Sequence, residues 1–333
     1  MRKIPITSPI QLLGISNAIV DVLAHVDEEF LAAIGVPRGS MTLIDEDFAL
    51  EIYRKMGPAT EMSGGSVANT IANFASLGGR AAYIGRVKAD QFGDIFVHDM
   101  QALGVDVRLK PSQGGAPTAR SYIIITPDGQ RTMQTYLGAC TELSVSDVTE
   151  QSVGTADVVL LEGYVWDIPE GPALIAEAIR IAKGNGSRIA LSLSDSFCVG
   201  RHRQQFLDAV NDDVDIVFAD DDEIMALLET RDFADVMRAV PAFEKLFVMT
   251  RSEEGSVVVH GDRTVIQQAL PVRKVVDTTG AGDAYTAGFL YGLTGGRDLA
   301  ECARLGTYCA TSIIQRVGAR IERDAITAYE QTA

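Results

Sequence analysis

Short, uninterrupted apolar runs alternate with helical stretches through the second half of the chain. The apolar runs are Val158–Leu161, Ile189–Leu193, Ile216–Phe218 and Leu246–Met249. Runs without polar alternation are typical of strands that are buried on both faces. The alternation of such strands with helices predicts an α/β fold, in which a doubly wound, mostly parallel sheet carries helices on both faces.

Two stretches in the first half depart from this pattern and predict a second, smaller sheet. Apolar and polar residues roughly alternate from Ile19 to Val26, which is typical of a half-exposed strand. Thr118–Thr126 and Thr132–Leu137 flank a Pro-Asp-Gly-Gln sequence that contains Gly129, and this composition predicts a hairpin. Because hairpins join antiparallel strands, this pair is not expected inside a parallel sheet.

The stretch Val275–Leu290 reads VVDTTGAGDAYTAGFL and predicts a short strand, a tight glycine turn and a helix. Gly280 and Gly282 permit backbone conformations that other residues avoid, and Ala281 leaves the backbone open to a ligand. The free N–H groups and the dipole of a helix start attract an anion, usually phosphate. Asp283 beside such a site is either a helix N-cap or the catalytic base of a phosphoryl-transfer enzyme.

Two common phosphate-binding motifs do not occur in the sequence. There is no G-x-x-x-x-G-K-[ST], which excludes a P-loop enzyme. The dinucleotide fingerprint requires a small residue where this chain has Tyr285, so a dehydrogenase is disfavoured.

Polar residues follow other predicted strands, and ligands of such sheets bind outside the carboxyl ends of the strands. The acidic run Ala219–Glu223 either forms a Mg²⁺ site or consists of carboxylates that are favoured at the start of a helix by the helix dipole. The turn Thr250–Gly255 is of a kind that contacts a nucleotide.

Gly64 and Gly65 precede an amphipathic helix, and form either a hinge open to a ligand or a plain loop. Asn69 lies one turn into that helix and is expected to face the glycines.

The length, net charge and cysteine content of the chain limit its expected number of domains, its binding partners and its cellular location. The chain has 333 residues with 47% hydrophobic content, so we predict one domain over residues 1–333, with a lid sheet from about residues 16–45 and 115–138. A net charge of -16 argues against nucleic acid or an anionic membrane as the main partner. Four cysteines without a C-x-x-C pair predict reduced thiols in a cytoplasmic protein. No signal peptide or membrane span fits the sequence.

Two motifs together resemble the signatures of the PfkB (ribokinase-like) carbohydrate and nucleoside kinase family. The C-terminal signature D-T-x-G-A-G-D is matched by residues 277–283. The N-terminal signature is matched by Gly64, Gly65 and Asn69, on a helix that ends near Leu77. The motifs occur in the family's order and the resemblance covers essentially the whole chain. It implies a ribokinase-like fold with a β lid, and an ATP-dependent kinase that uses Mg²⁺.

The resemblance also implies a role for each candidate residue. The anion hole and catalytic base are assigned to Gly280, Ala281, Gly282 and Asp283. The substrate site is assigned to Asn17, Asp21, Gly64, Gly65, Ser66 and Asn69. ATP is assigned to Thr250, Arg251, Gly255 and Thr278. Mg²⁺, held through water, is assigned to Glu223 and Asp220, although the family has Asn at the second position; a monovalent cation such as K⁺ is assigned to Asp277.

Within the family, the first motif resembles the adenosine kinase branch. Asn17 precedes Asp21 by four residues, and Ser66 stands where ribokinases have Lys. We therefore predict phosphorylation of the 5′-hydroxyl of adenosine, by a monomer or by a homodimer formed through the lid. A family member acting on ribose, fructose or a related free sugar is the alternative. A nucleoside or nucleotide sensor that keeps the fold without catalysis is the non-enzyme alternative.

Overall fold

The structure is a computed structural model that describes residues 9–128, 130–322 and 324–332. Gly129 of the predicted hairpin turn lies outside the described residues. The strands are β1 (Ile10–Ile15), β2 (Ile19–His25), β3 (Met41–Leu43), β4 (Thr60–Gly64), β5 (Ala81–Ile84), β6 (Asp106–Val107), β7 (Ala119–Ile125), β8 (Arg131–Tyr136), β9 (Ala156–Glu162), β10 (Arg188–Ser192), β11 (Ile216–Asp220), β12 (Leu246–Thr250), β13 (Ser256–His260) and β14 (Arg263–Gln267).

The α-helices of the described residues lie against the two sheets that these strands form. They are α1 (Glu28–Ile34), α2 (Glu46–Lys55), α3 (Ser66–Ser76), α4 (Gln91–Ala102), α5 (Glu150–Val153), α6 (Gly171–Gly184), α7 (Ser196–Asp212), α8 (Asp221–Leu228), α9 (Phe233–Ala239), α10 (Ala281–Thr294), α11 (Leu299–Ile313) and α12 (Ala325–Thr332).

The large sheet has nine strands in the order β14-β13-β12-β11-β10-β9-β1-β5-β6. Strands β12 to β6 in this order are parallel, and β13 and β14 add an antiparallel edge. Neighbouring residues of one strand belong to different cores: Val158 lies in the core that includes residues of α3 and α10, and Val159 in the core that includes residues of α6 and α7. The predicted doubly wound α/β fold is therefore confirmed, because its strands are apolar on both faces.

The smaller sheet has five strands in the order β3-β8-β7-β2-β4. The prediction of a half-exposed strand from Ile19 to Val26 is wrong in its exposure, since β2 is buried from Val20 to Ala24. One face of β2 packs on the main core through Val20 and Val22, while Leu23 packs with Ile123 on the other face. Strand β4 joins this sheet from a segment for which no strand is predicted.

The lead-in to the glycine turn is not a strand. The short strand predicted at Val275 and Val276 is wrong, since both residues lie outside any strand and are exposed. The N–H group of Val276 instead donates to the carbonyl of Ile314, just after α11, at 2.7 Å. The helix predicted after the turn is present as α10. The turn is thus preceded by an irregular segment that the end of α11 holds, and not by a strand of its own.

Two features of composition can be located in the described residues. All four cysteines are buried and free. No α-helix within residues 9–128, 130–322 and 324–332 combines the length and the apolar character that a membrane span requires.

Candidate active site

A cavity of about 920 Å³ opens at the carboxyl edge of the large sheet, next to the start of α10. This volume is in the range of small-molecule sites, and the position is the one expected for ligands of doubly wound sheets. Many of the predicted site residues meet there although they are distant in sequence. The predicted residues that line the cavity are Ser66, Asp220, Glu223, Thr250, Gly255, Thr278, Ala281, Gly282 and Asp283.

The glycine turn has the backbone of an anion site. Gly280 is the N-cap of α10 with a φ of 72°, a left-handed conformation that favours glycine. The first hydrogen bond of the helix runs from the Ala284 N–H to the Gly280 carbonyl at 2.8 Å. The N–H groups of Gly282 and Asp283 precede that bond and are available to an anion. Because Gly280 holds the cap position, Asp283 is not a helix cap.

Asp283 is held by two donors of α3. Its carboxylate oxygens accept hydrogen bonds from Ser66 Oγ at 2.7 Å and from Asn69 Nδ2 at 3.1 Å. Burial raises the pKa of Asp283 to about 6, while these two hydrogen bonds and the nearby Arg320 guanidinium act to lower it. A carboxylate with a pKa near 6 is ionised at neutral pH and is still basic enough to accept a proton.

The other predicted substrate residues form a second cluster beyond Ser66 and Asp283, outside the lining of the cavity: Asn17, Asp21, Gly64, Gly65 and Asn69. A Cβ at Gly64 would lie 2.3 Å from Asp21 Cγ, and a Cβ at Gly65 would lie 2.6 Å from the carbonyl oxygen of Asn17. Both glycines are therefore required for this close approach. Among the described residues none donates a hydrogen bond to the Asp21 carboxylate, and Asn17 Oδ1 is buried without a partner. These oxygens are available to the hydroxyl groups of a ligand.

Asp21 also has a perturbed acidity. Burial raises the pKa of Asp21 to about 7, Arg320 lowers it, Asp283 raises it and Arg131 lowers it. Accepting hydrogen bonds from a ligand would favour its ionised form.

Asp220 and Glu223 open α8 at the end of β11 and form a capping box. Glu223 N donates to Asp220 Oδ1 at 2.8 Å, and Asp220 N donates to Glu223 Oε2 at 3.0 Å. Burial raises the pKa of Glu223 to about 8, and the negative charge of Asp220 raises it further. Two adjacent carboxylates on the cavity wall, one of them costly to ionise, suit a Mg²⁺ ion that keeps most of its waters. The described residues hold no cluster of three or more metal-ligating side chains.

A side chain of the smaller sheet reaches the glycine turn. Arg131 of β8 pairs with the carboxylate of Asp277 and with the hydroxyl of Thr279. Asp277 also accepts hydrogen bonds from Thr279 N at 2.8 Å and from Gly318 N at 2.7 Å. Both carboxylate oxygens of Asp277 are thus already engaged by described residues.

Arg251 is the predicted ATP residue that the cavity does not include. Its guanidinium pairs with Glu254 at 2.6 Å and lies 4.0 Å from the centre of the Phe233 ring. The neighbouring Ser252 and Glu253 line the cavity in its place. The turn after β12 therefore presents Thr250, Ser252, Glu253 and Gly255 to the site, and Arg251 packs behind it.

Sequence reasoning missed three charged residues of the site: Arg131, Glu162 and Arg320. Glu162 is 1% exposed at the end of β9, and its carboxylate accepts the N–H groups of Asn17 at 2.8 Å and Val67 at 3.3 Å. Burial raises the pKa of Glu162 to about 7. The signal available in the sequence was an acid that ends an otherwise apolar strand.

Comparison with known proteins identifies the family of this chain. The profile of the pfkB family carbohydrate kinases matches residues 44–325. The chain belongs to the pfkB family. Its predicted ribokinase-like fold, and its predicted activity as a phosphotransferase with a hydroxyl acceptor, are therefore confirmed.

Two solved structures are similar to this pfkB-family chain over nearly its whole length. The adenosine kinase from Sinorhizobium meliloti is 49% identical, with a TM-score of 0.90, over 98% of this chain and 100% of that one. A probable sugar kinase protein from Rhizobium etli CFN 42 is 44% identical, also with a TM-score of 0.90, over 98% of this chain and 99% of that one. Adenosine kinase 2 of Arabidopsis thaliana is 25% identical over 335 residues, covering 92% of this chain and 94% of that protein.

Proposed function

We propose that this pfkB-family protein transfers the γ-phosphoryl group of ATP to the 5′-hydroxyl of adenosine. The observation that carries the proposal is the 49% identity to the Sinorhizobium meliloti adenosine kinase across 98% of the chain. The site described above supplies the parts that phosphoryl transfer needs: an anion site, a base and a separate hydroxyl-binding cluster.

In the proposed reaction Asp283 accepts the proton of the attacking hydroxyl, while the N–H groups of the glycine turn bind the transferred phosphoryl group. Asp21 and Asn17 orient the ribose, since their oxygens are not engaged by the described residues. Ser66 and Asn69 hold the base in line. Most of the rate then comes from positioning and from fixed charges, because little covalent chemistry is required of the protein.

ATP occupies the 920 Å³ cavity in this proposal, with Thr250, Gly255 and Thr278 among its contacts. Glu223 and Asp220 would hold Mg²⁺, mainly through water, and the ion would supply positive charge to the phosphates. The Arg131 guanidinium supplies a further positive charge next to the turn. The assignment of K⁺ to Asp277, the cytoplasmic location and the choice between a monomer and a homodimer stay predictions.

The deciding experiment measures ADP release with adenosine, inosine, ribose and fructose as acceptors, with Asp283→Asn as the inactive control. We expect adenosine to give the highest kcat/KM. A preference for ribose or fructose would instead assign the chain to the free-sugar kinases; the similar Rhizobium etli protein is a probable sugar kinase. Thermal stabilisation by adenosine and ATP without release of ADP would identify a sensor.

A further inference from the structure

The segment from Gly318 to Ile321, after α11, contacts the catalytic turn at Asp277 and at Gly280. Gly318 N donates to Asp277, and the Ala319 Cβ lies 2.5 Å from where a Cβ of Gly280 would be. Asn73 of α3 fixes the segment from the other side. Its Nδ2 donates to the Ala319 carbonyl at 3.0 Å, and its Oδ1 accepts from Ile321 N at 2.9 Å. Because Asn73 is fully buried, the backbone on both sides of residue 320 is rigidly held.

The guanidinium of Arg320, which this segment carries, is connected to the catalytic base through the side chain of Asn69. Arg320 Nη1 donates to Asn69 Oδ1, and Asn69 Nδ2 donates to Asp283. Arg320 Nη2 donates to the carbonyl and to the hydroxyl of Ser63, which is the residue of β4 just before the glycine pair. Ser63 in turn donates through N and Oγ to Asp99 of α4. The Arg320 guanidinium therefore links the base, α3 and the smaller sheet.

The chemistry of these groups leaves a single orientation for the Asn69 amide. A guanidinium can only donate, and an ionised carboxylate can only accept. An amide has one accepting and one donating end, so Arg320 on the oxygen forces the NH₂ group toward Asp283. Without the guanidinium the amide can turn, and its oxygen would then face the carboxylate with two acceptors in contact.

The acids around Asp283 oppose its ionisation, and the positive charge of Arg320 therefore matters for its protonation state. Asp21, Glu162 and Glu223 all interact with Asp283 as like charges. Arg320 is the cation that acts on Asp283 itself, and it interacts with Asp21 as well. Burial lowers the pKa of Arg320, yet a guanidinium stays protonated at any pH at which the protein is folded.

We propose that Arg320 is a positioning residue for phosphoryl transfer, which orients the Asn69 amide and thereby keeps Asp283 ionised and aligned. The proposal rests on the proposed role of Asp283 as the base. It assigns to Arg320 no contact with substrate or ATP, and it makes Asn69 a relay as well as a member of the substrate site.

The test compares Arg320→Met, which keeps length and removes charge, with Arg320→Lys, which keeps charge and loses the planar fork. The readout is the pH dependence of kcat and of kcat/KM for adenosine. In Arg320→Met we expect the acid limb to move up by about 1 pH unit, so that kcat falls roughly tenfold near pH 5 and about twofold at pH 7. Much of that loss should be recovered at higher pH. In Arg320→Lys the acid limb should move less than in Arg320→Met.

Arg108→Met is the matched control, because Arg108 also donates to two carbonyls, those of Ser152 and Val153, but lies beside the edge strand β6. It should leave the pH profile unchanged. If Arg320→Met does not fold, Asn73→Ala provides the second variant, since it releases the backbone that carries Arg320. We expect a smaller shift in the same direction from it.

An unchanged acid limb in Arg320→Met, or a loss of rate that is the same at every pH, would overturn the positioning role. A shift in the Arg108→Met control would do so as well. The outcome is distinguishable from failure of the proposed function. If Asp283→Asn retains turnover, the base assignment fails; if Asp283→Asn is inactive and Arg320→Met is normal, the relay alone fails.

Discussion

Asp283 carries a negative charge in a place where burial opposes it. Burial raises its pKa to about 6, and the two hydrogen bonds from α3 keep the value from rising further. A base must be ionised to act, so the rate should fall as the pH decreases through about 6. The same burial strengthens each interaction that Asp283 makes with a reacting hydroxyl, because water does not screen it.

The change Asp283→Asn tests this role directly. It keeps the size of the side chain and removes its ability to accept a proton, so kcat should fall by about 10²–10⁴-fold. Binding of ATP, measured by calorimetry, should be nearly unchanged. Asp208→Asn on α7 is the control, since Asp208 is exposed and bonded to Gln204. A variant that keeps more than about a tenth of the rate would contradict the base assignment.

The sequence was sufficient for Asp283 and the glycine turn because the chemistry lies within a few consecutive residues. Arg320 and Glu162 were missed for a physical reason. Arg320 contacts Asn69 across 251 residues of chain, and Glu162 contacts Asn17 across 145. Such contacts are created by the topology of the sheet, and no local pattern encodes them. The two asparagines of α3, at positions 69 and 73, were the available hint, because buried amides in an apolar helix need partners.

The start of α10 tests the physics of the turn through two neighbouring glycines. Gly280 has a positive φ and faces Ala319, whereas a Cβ at Gly282 would meet no atom within 4 Å. Gly280→Ala should therefore lower the free energy of unfolding by about 1–3 kcal/mol, and Gly282→Ala should leave it nearly unchanged. Because the free side of Gly282 faces the cavity, its substitution should raise KM for ATP. Urea denaturation and ATP titration of both variants measure the contrast; equal stability losses would contradict it.

Strand β8 couples the smaller sheet to the turn through Arg131 and Asp277. Asp277 is also the residue predicted to hold K⁺, so initial rates in K⁺ and in Na⁺ at matched ionic strength test that prediction; equal rates would mean that the Arg131 guanidinium takes the place of the cation. Removing the charge with Arg131→Gln should lower kcat by roughly 10²-fold, as for loss of an anion-hole donor. Arg38→Gln, which breaks an exposed pair with Asp128 in the same region, is the control. A rate that depends steeply on K⁺ alone would show that a cation binds there after all.

At the scale of the whole molecule, the large sheet could be predicted from the sequence, but parts of the smaller sheet could not. The large sheet was predictable because each of its inner strands is a local apolar run buried on both faces, as in β9. Strand β4 was not, because Thr60–Gly64 is a polar, glycine-ended segment that becomes a strand by pairing with β2. The exposure of β2 was misjudged for the same reason, since its outer face is covered by residues of β7 and β4 that are distant in sequence.

The site makes the ligand-free protein less stable as the pH rises. Burial raises the pKa to about 6 for Asp283, to about 7 for Asp21 and Glu162, and to about 8 for Glu223. In the unfolded chain these groups titrate near 4. Between pH 4 and pH 8 the folded state therefore binds more protons than the unfolded state, so the free energy of unfolding falls with increasing pH. The net charge of -16 acts in the same direction through repulsion.

We accordingly expect a higher Tm at pH 5.5 than at pH 8.5 for the ligand-free chain, measured at constant ionic strength. Glu223→Gln removes the group with the most raised of these pKa values and keeps an acceptor for the Asp220 N–H, so it should reduce the difference. Mg²⁺ with a non-hydrolysable ATP analogue should raise Tm more at pH 8.5 than at pH 5.5, because the ion favours ionised carboxylates. A Tm that rises from pH 5.5 to pH 8.5 without ligand would mean that these carboxylates are already compensated within the folded chain, and the acidity of the site would need another explanation.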